Sequence, residues 1–234
     1  DSISVGSVSL ASGISSIAVG KSSIASGVNG IVVGHTAVTD AVNGIAIGQG
    51  SNANEVNGVS LGASSLANQQ NSIALGASAN SAALNAIAMG ASSKSISNNG
   101  ISIGASSFAS QVNGIAMGSN ADTAQINGIA IGANTVSSSV NAIAMGANSN
   151  STSTNAIAIG QSSNARGSNA IAVGGLSNAP RANAISIGQT SLANESNSIA
   201  IGQASNANST NAIALGHGTL ANQSNSIAIG SGAN

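Results

Sequence analysis

The sequence predicts an all-β protein, a narrow parallel β-solenoid (β-roll) with one turn for every 14 residues. An aliphatic residue followed by Gly recurs at this interval without a slip from Val5-Gly6 to Ile229-Gly230, which makes seventeen copies. Before each Gly, small and large residues alternate, and this period of two is typical of a β-strand. One copy cannot bury its own apolar face, so we expect the copies to stack as a single repeat domain over residues 1–234.

The first strand of each repeat is predicted from the residues that precede this Gly, which we number position 0. Position −3 is Ile in every copy except Val59, and position −1 is always Val, Ile, Leu or Met. Position −4 is always Gly, Ala or Ser, and position −2 is Ala or Ser in every copy except Val32. We expect the large residues to form the core and the small residues to form the outer face of this strand.

The second strand is predicted over positions +3 to +5. Positions +3 and +5 are confined to Ser, Ala and Thr, whereas position +4 varies and includes Lys94 and Phe108. This alternation indicates a small face that points inward and a variable side chain that meets solvent.

Two corners connect the strands. The invariant Gly at position 0 suits a corner where φ is positive or backbones crowd. Position −5 is Asn in fifteen copies, from Asn29 to Asn225. Six of these Asn precede Gly, a pair that favours hairpin turns. The fixed period favours instead a ladder in which each amide side chain bonds to those above and below it.

Charge is scarce and unevenly placed. The chain has four Lys and Arg and five Asp and Glu, for a net charge of −1, so we expect no nucleic acid partner. A hydrophobic content of 42% argues against disorder. Apart from Asp1, no ionisable side chain falls between positions −5 and 0. We therefore expect the outer face of the first strand to lie against identical copies in a closed homo-oligomer.

No residue pattern indicates catalysis, a cofactor or a metal. His35 and His217 share position +1 but stand thirteen turns apart, and Asp40 and Glu55 lie on neighbouring turns without a denser acidic cluster. We interpret these as solvated polar residues. Two distant histidines cannot complete a Ser-His-Asp arrangement, so the sequence predicts no enzyme. Phe108, the single aromatic residue, is a candidate adhesion anchor.

Several repeats are similar to a known family. Asn-Ser-Ile-Ala-Leu-Gly-Ala-Ser at 71–78 and Asn-Ala-Ile-Ala-Ile-Gly-Gln-Ser at 155–162 resemble the head repeat of YadA-like trimeric autotransporter adhesins, and the resemblance extends over the whole chain. It implies a left-handed parallel β-roll of about 17 turns, packed as a homotrimer. It also implies exposure on a bacterial cell surface, with contact to the outer membrane only through stalk and anchor segments outside this sequence. Because the chain opens at Asp1 rather than Met, we interpret it as a segment of a longer or processed protein.

The resemblance also implies a function, which is attachment to host extracellular matrix such as collagen, to host cells or to other bacteria. In collagen-binding heads of this family, an Asn-Ser-Val-Ala-Ile-Gly-x-Ser motif is linked to binding. The residues of this chain that match it best are Asn71, Ser72, Ile73, Ala74, Leu75, Gly76 and Ser78.

Two other functions stay open at this point. Flat, regular β-faces can order water, so an ice-binding solenoid is one alternative, although the nine threonines are scattered and none lies at position −4 or −2. A passive fibre or filament segment built from the same roll is the other.

Overall fold

A computed structural model describes all residues, Asp1–Asn234, and contains only short strands joined by corners. Its contacts divide the chain into two compact units, Asp1–Asn120 and Ala121–Asn234. In each unit, strands of three residues at positions −3 to −1 form a first sheet, and strands of two residues at positions +4 and +5 form a second sheet. The predicted all-β parallel β-solenoid is confirmed.

The strands of the first unit are β1 (Ile3–Val5), β2 (Leu10–Ala11), β3 (Ile17–Val19), β4 (Ile24–Ala25), β5 (Ile31–Val33), β6 (Val38–Thr39), β7 (Ile45–Ile47), β8 (Asn52–Ala53), β9 (Val59–Leu61), β10 (Leu66–Ala67), β11 (Ile73–Leu75), β12 (Asn80–Ser81), β13 (Ile87–Met89), β14 (Lys94–Ser95), β15 (Ile101–Ile103), β16 (Phe108–Ala109) and β17 (Ile115–Met117). The strands of the second unit are β18 (Asp122–Thr123), β19 (Ile129–Ile131), β20 (Val136–Ser137), β21 (Ile143–Met145), β22 (Asn150–Ser151), β23 (Ile157–Ile159), β24 (Asn164–Ala165), β25 (Ile171–Val173), β26 (Asn178–Ala179), β27 (Ile185–Ile187), β28 (Leu192–Ala193), β29 (Ile199–Ile201), β30 (Asn206–Ala207), β31 (Ile213–Leu215), β32 (Leu220–Ala221) and β33 (Ile227–Ile229).

The strand pairing is parallel and joins like positions of successive repeats. In β11 and β13, Ile73 pairs with Ile87 and Leu75 with Met89. In the second sheet, Lys94 of β14 pairs with Phe108 of β16. Within each unit, a strand residue therefore stands beside the residue 14 places further along the chain, at the strand spacing of about 4.8 Å.

The core consists of small residues, and the predicted orientation of the first strand is wrong. Ala74 and Ala88 at position −2 and Ser72 and Ala86 at position −4 are fully buried. The large residues at −3 and −1 point outward, and Ile47 at −1 is 37% exposed. The reason is spatial: the inward faces of the two sheets pack so closely that only Gly, Ala, Ser, Thr and one Val (Val32) fit between them.

Hydroxyl contacts across the interior show how close the two sheets are. Where position −2 is Ser, its hydroxyl lies within 2.8 Å of that of the Ser at +3, and the distance is 2.7 Å between Ser60 and Ser65. From +5, the Ser81 hydroxyl donates to the Ala86 carbonyl oxygen at 2.8 Å. Positions +3 and +5 therefore face inward, as predicted. Buried hydroxyls are tolerated here because such bonds offset the loss of water.

Both corner predictions are confirmed. Gly76 at position 0 has φ +129°, and a Cβ placed on it would lie 2.7 Å from the carbonyl carbon and oxygen of Gly90. The Asn residues at −5 also have positive φ, near 57° for Asn71, a conformation that Asn tolerates better than most residues. Their side chains form the predicted ladder. Asn57 donates through Nδ2 to Oδ1 of Asn71, and Asn71 to Asn85, both at 3.0 Å.

Candidate functional site

Each unit carries an outward apolar surface that we call the aliphatic face, made of the residues at positions −3 and −1. Its −3 residues are half-buried between the two ends of the chain. At −1, Val33 is 39% exposed and Met117 37% in the first unit, and Ile159 is 38% exposed in the second. Since no charged side chain other than Asp1 occurs between −5 and 0, the face is uncharged as well as apolar. Contiguous exposed apolar surface of this kind marks an interaction site.

The opposite side of the roll carries the variable residues of position +4. The inward faces of the two sheets meet in the interior, so their outward faces point away from each other. Position +4 is polar or charged in many repeats, and Lys94 is exposed there. An occupant of the aliphatic face therefore leaves the +4 side chains accessible.

The repeat at 71–78 distributes its motif residues over three environments. Asn71 and Ser78 are exposed at the two corners, both with φ 57°. Ile73 and Leu75 lie half-buried on the aliphatic face. The remaining residues shape the roll: Ser72 and Ala74 are fully buried, and Gly76 occupies the tight corner described above. Asn71 and Ser78 are thus the motif side chains that a ligand can reach from solvent.

Phe108 lies half-buried on the outward side of β16, directly beside Lys94 of β14. The two residues line a small open pocket together with Ser92, Ser106 and Ser107. The sequence analysis singled out Phe108 and missed Lys94. A signal was present, because the two residues are 14 apart and therefore occupy the same position in consecutive repeats.

The remaining ionisable residues do not assemble into a site. His35 and His217 are both exposed at position +1, each in a different unit. No group of three or more His, Asp or Glu side chains comes together. Desolvation raises the pKa of the Asp122 carboxyl, whose Oδ1 is buried without a hydrogen-bond partner.

The stacked repeat can be compared directly with known families. The YadA head domain repeat matches the chain at residues 1–23, 11–37, 25–51, 40–65, 53–79, 67–93, 95–121, 125–149, 151–177, 182–205 and 207–233. The chain belongs to this family. The resemblance noted in the sequence is therefore confirmed, and the family gives this YadA head the general role of an adhesin that is exposed at the cell surface.

Among solved structures, this YadA head is similar to the crystal structure of the collagen-binding domain of the Yersinia adhesin YadA. The two sequences are 26% identical, and the alignment covers 77% of this chain and 70% of that one with a TM-score of 0.33. No curated protein sequence matches the chain significantly. The structure has no helix that could cross a membrane.

Proposed function

We propose that this chain is the head of a homotrimeric adhesin that attaches a bacterium to host extracellular matrix, to host cells or to other bacteria. In this proposal, residues 1–234 act as one repeat domain that segments outside this sequence anchor in the outer membrane. The observation that carries it is the aliphatic face, an uncharged apolar surface repeated in every turn. Such a face is stable in water when identical copies cover it.

The magnitude of this burial favours assembly over many turns. Full burial of an aliphatic side chain contributes about 1.5–3 kcal/mol, so covering a third of one contributes about 0.5–1 kcal/mol. The nine −1 residues of the first unit then contribute roughly 5–9 kcal/mol. Association costs about 4–15 kcal/mol in lost freedom of motion. A single turn therefore cannot hold copies together, whereas many turns acting together can.

The oligomer is tested by the solution mass of the chain, measured by light scattering over a range of concentrations. We expect three times 21.9 kDa, stable on dilution. The variant Ile47→Lys/Leu61→Lys places charges on the aliphatic face and should dissociate on dilution. The matched control is Leu66→Lys, because Leu66 is equally half-buried and outward but lies on the opposite side of the same turn. A soluble wild-type monomer, or equal dissociation of both variants, would contradict the proposal.

Attachment itself is proposed to arise from many weak contacts that add by avidity, because each exposed corner recurs in every turn. Collagen is the first ligand to test, since the similar Yersinia domain is named for binding it. Asn71 and Ser78 are the proposed contact residues, with Ser72, Ile73, Ala74, Leu75 and Gly76 holding them in place.

The binding test compares the wild type with Ile47→Lys/Leu61→Lys on immobilised collagen, since both replaced residues lie outside the motif at 71–78. If avidity drives attachment, the dissociated variant should bind at least tenfold more weakly, and Leu66→Lys should match the wild type. If the wild-type trimer binds neither collagen, another matrix protein, host cells nor other bacteria, the adhesive role is wrong while the trimer stands.

A further inference from the structure

We propose that the pocket around Lys94 and Phe108 binds a sugar that carries a carboxylate, such as a sialic or uronic acid. The pocket has a volume of about 350 Å³ and is lined by Ser92, Lys94, Ser106, Ser107 and Phe108. This size falls within the range of small-molecule sites. The proposal rests on the adhesin role given above and names a partner class for one place on its surface.

The fold places a cation beside the single aromatic residue of the chain. Lys94 and Phe108 pair in register on β14 and β16, and their inward neighbours Ser95 and Ala109 are fully buried. Both side chains therefore project from the same face of the second sheet, and their strands are about 4.8 Å apart. Because this is the side opposite the aliphatic face, the pocket stays open in the proposed trimer.

The Lys94 ammonium is available for a ligand. It forms neither an ion pair nor a hydrogen bond with the protein, and its side chain is exposed. In the sequence, the carboxylates nearest to Lys94 are Asp122, two repeats later, and Glu55, three repeats earlier; only Glu55 belongs to the same unit. The charge is therefore not neutralised within its own unit, and a carboxylate is the ligand group that an ammonium pairs with most directly.

Serine hydroxyls complete the lining. Ser92 and Ser106 occupy successive +2 corners with φ 57° and 56°, and both are exposed. Their backbone amides donate to Ala77 and Ala91 at 2.9 Å, while neither hydroxyl has a partner within the protein. Each hydroxyl can both donate and accept, which matches the hydroxyl groups of a sugar.

These three features together select one ligand class. An acidic peptide would pair with the ammonium but would leave the phenyl face uncovered. A proline-rich peptide would cover the ring but would leave the ammonium unpaired. A sugar acid offers a carboxylate, a C–H face to lie on the ring and hydroxyls for the serines. For a ligand of this size, one site would bind with a Kd on the order of 1 mM. Repetition over copies of the chain would then supply avidity.

The test titrates the purified full chain with N-acetylneuraminic acid, glucuronic acid and neutral glucose, followed by ligand-observed NMR. We expect a Kd near 1 mM for at least one acid and binding at least tenfold weaker for glucose. Lys94→Asn should reduce acid binding to the glucose level, and Phe108→Leu should weaken it severalfold. Both replacements occur naturally at position +4, in Asn80 and Leu66, so the fold should persist. Lys21→Gln, an exposed lysine without an aromatic neighbour, is the matched control and should change nothing.

Equal binding of acids and glucose, or acid binding that survives Lys94→Asn, would overturn the proposal. The proposal would also be overturned if the wild-type chain bound a polyglutamate peptide as tightly as it binds the sugar acids, since the pocket would then be a peptide site. The same variants are assayed on collagen to separate the two proposals. Failure to bind sugar acids while collagen binding persists refutes the pocket alone, and loss of collagen binding with sugar binding intact refutes the matrix role alone.

Discussion

A methyl group added at Gly44 tests how tightly the interior is packed. Thr39 at position +5 is fully buried between two glycines, with its methyl group toward Gly30 and its hydroxyl toward Gly44. That hydroxyl also donates to the Ala53 carbonyl oxygen at 2.6 Å. A Cβ on Gly44 would collide with Thr39 Oγ1 and lie 3.1 Å from the Ala53 oxygen. Gly44→Ala adds no backbone strain, because φ of Gly44 lies outside the left-handed region.

The magnitude follows from these contacts. Overpacking a core costs about 1–3 kcal/mol, and displacing the Thr39 hydroxyl weakens a buried hydrogen bond that contributes about 0.5–1.5 kcal/mol. Replacing Gly by Ala also stabilises the protein by about 0.4–1 kcal/mol, because Ala lowers the conformational entropy of the unfolded chain. We expect Gly44→Ala to lower the free energy of unfolding by about 1–3 kcal/mol.

The assay is chemical denaturation followed by far-UV circular dichroism at one protein concentration, since assembly would shift the midpoint. Gly58→Ala is the matched control, because Ala53 replaces Thr39 in that turn. The Ala53 Cβ would lie 3.6 Å from the new Cβ, and the nearest atom would be the Glu55 carbonyl oxygen at 2.9 Å. We expect Gly58→Ala to lower the free energy of unfolding by less than Gly44→Ala does, because it displaces no side chain and no buried hydroxyl. In the double variant Thr39→Ala/Gly44→Ala the collision is gone, so its cost should match that of Thr39→Ala alone. Additive single effects would refute the proposed packing.

Two further predictions concern a corner and the half-buried acid Asp122. Asn71→Ala should destabilise the protein by about 1–2 kcal/mol more than Asn71→Gly. Both variants lose the ladder bonds, but only Ala is strained in the left-handed conformation. Equal denaturation midpoints for the two variants would show that this conformation carries no strain. For Asp122, burial raises the carboxyl pKa, so the folded state binds this proton more tightly than the unfolded state and the carboxylate costs stability once it is ionised. Asp122→Asn should therefore raise the denaturation midpoint at pH 7, and this gain should vanish as the pH falls below 3.8, the ordinary pKa of Asp. A gain that persists at lower pH would show that the ionised carboxylate is not what costs stability.

Much of the fold follows from the period alone. The 14-residue interval predicts which residues become neighbours, so the strand pairs, the Asn ladder and the crowded Gly corner could all be expected. The pairing of Lys94 with Phe108 follows from the same rule, although its use as a pocket depends on exposure that the pattern does not reveal.

The orientation of the first strand could not be taken from alternation, because a period of two fits either face inward. The expectation that Ile belongs inside comes from globular cores, where the sheets lie about 10 Å apart. Here the Ser60 and Ser65 hydroxyls touch across the interior, which leaves no space for Ile. One clue was available: positions −4 and −2 tolerate almost only small residues, whereas −1 accepts four different aliphatic residues and includes all three Met. Strict size limits mark an enclosed position, and tolerance marks an open one.

The in-register stacking also bears on how such genes change. Each position packs against the same position of the next repeat. Interior bonds such as Ser60 to Ser65 close within a single turn, whereas the Thr39 hydroxyl bonds to Ala53 of the next turn. Loss or duplication of one whole 14-residue repeat therefore rejoins surfaces that already match. Recombination between similar repeats can thus shorten or extend the chain without passing through a form that fails to fold. The number of binding turns that a cell displays becomes a trait on which selection can act in single steps.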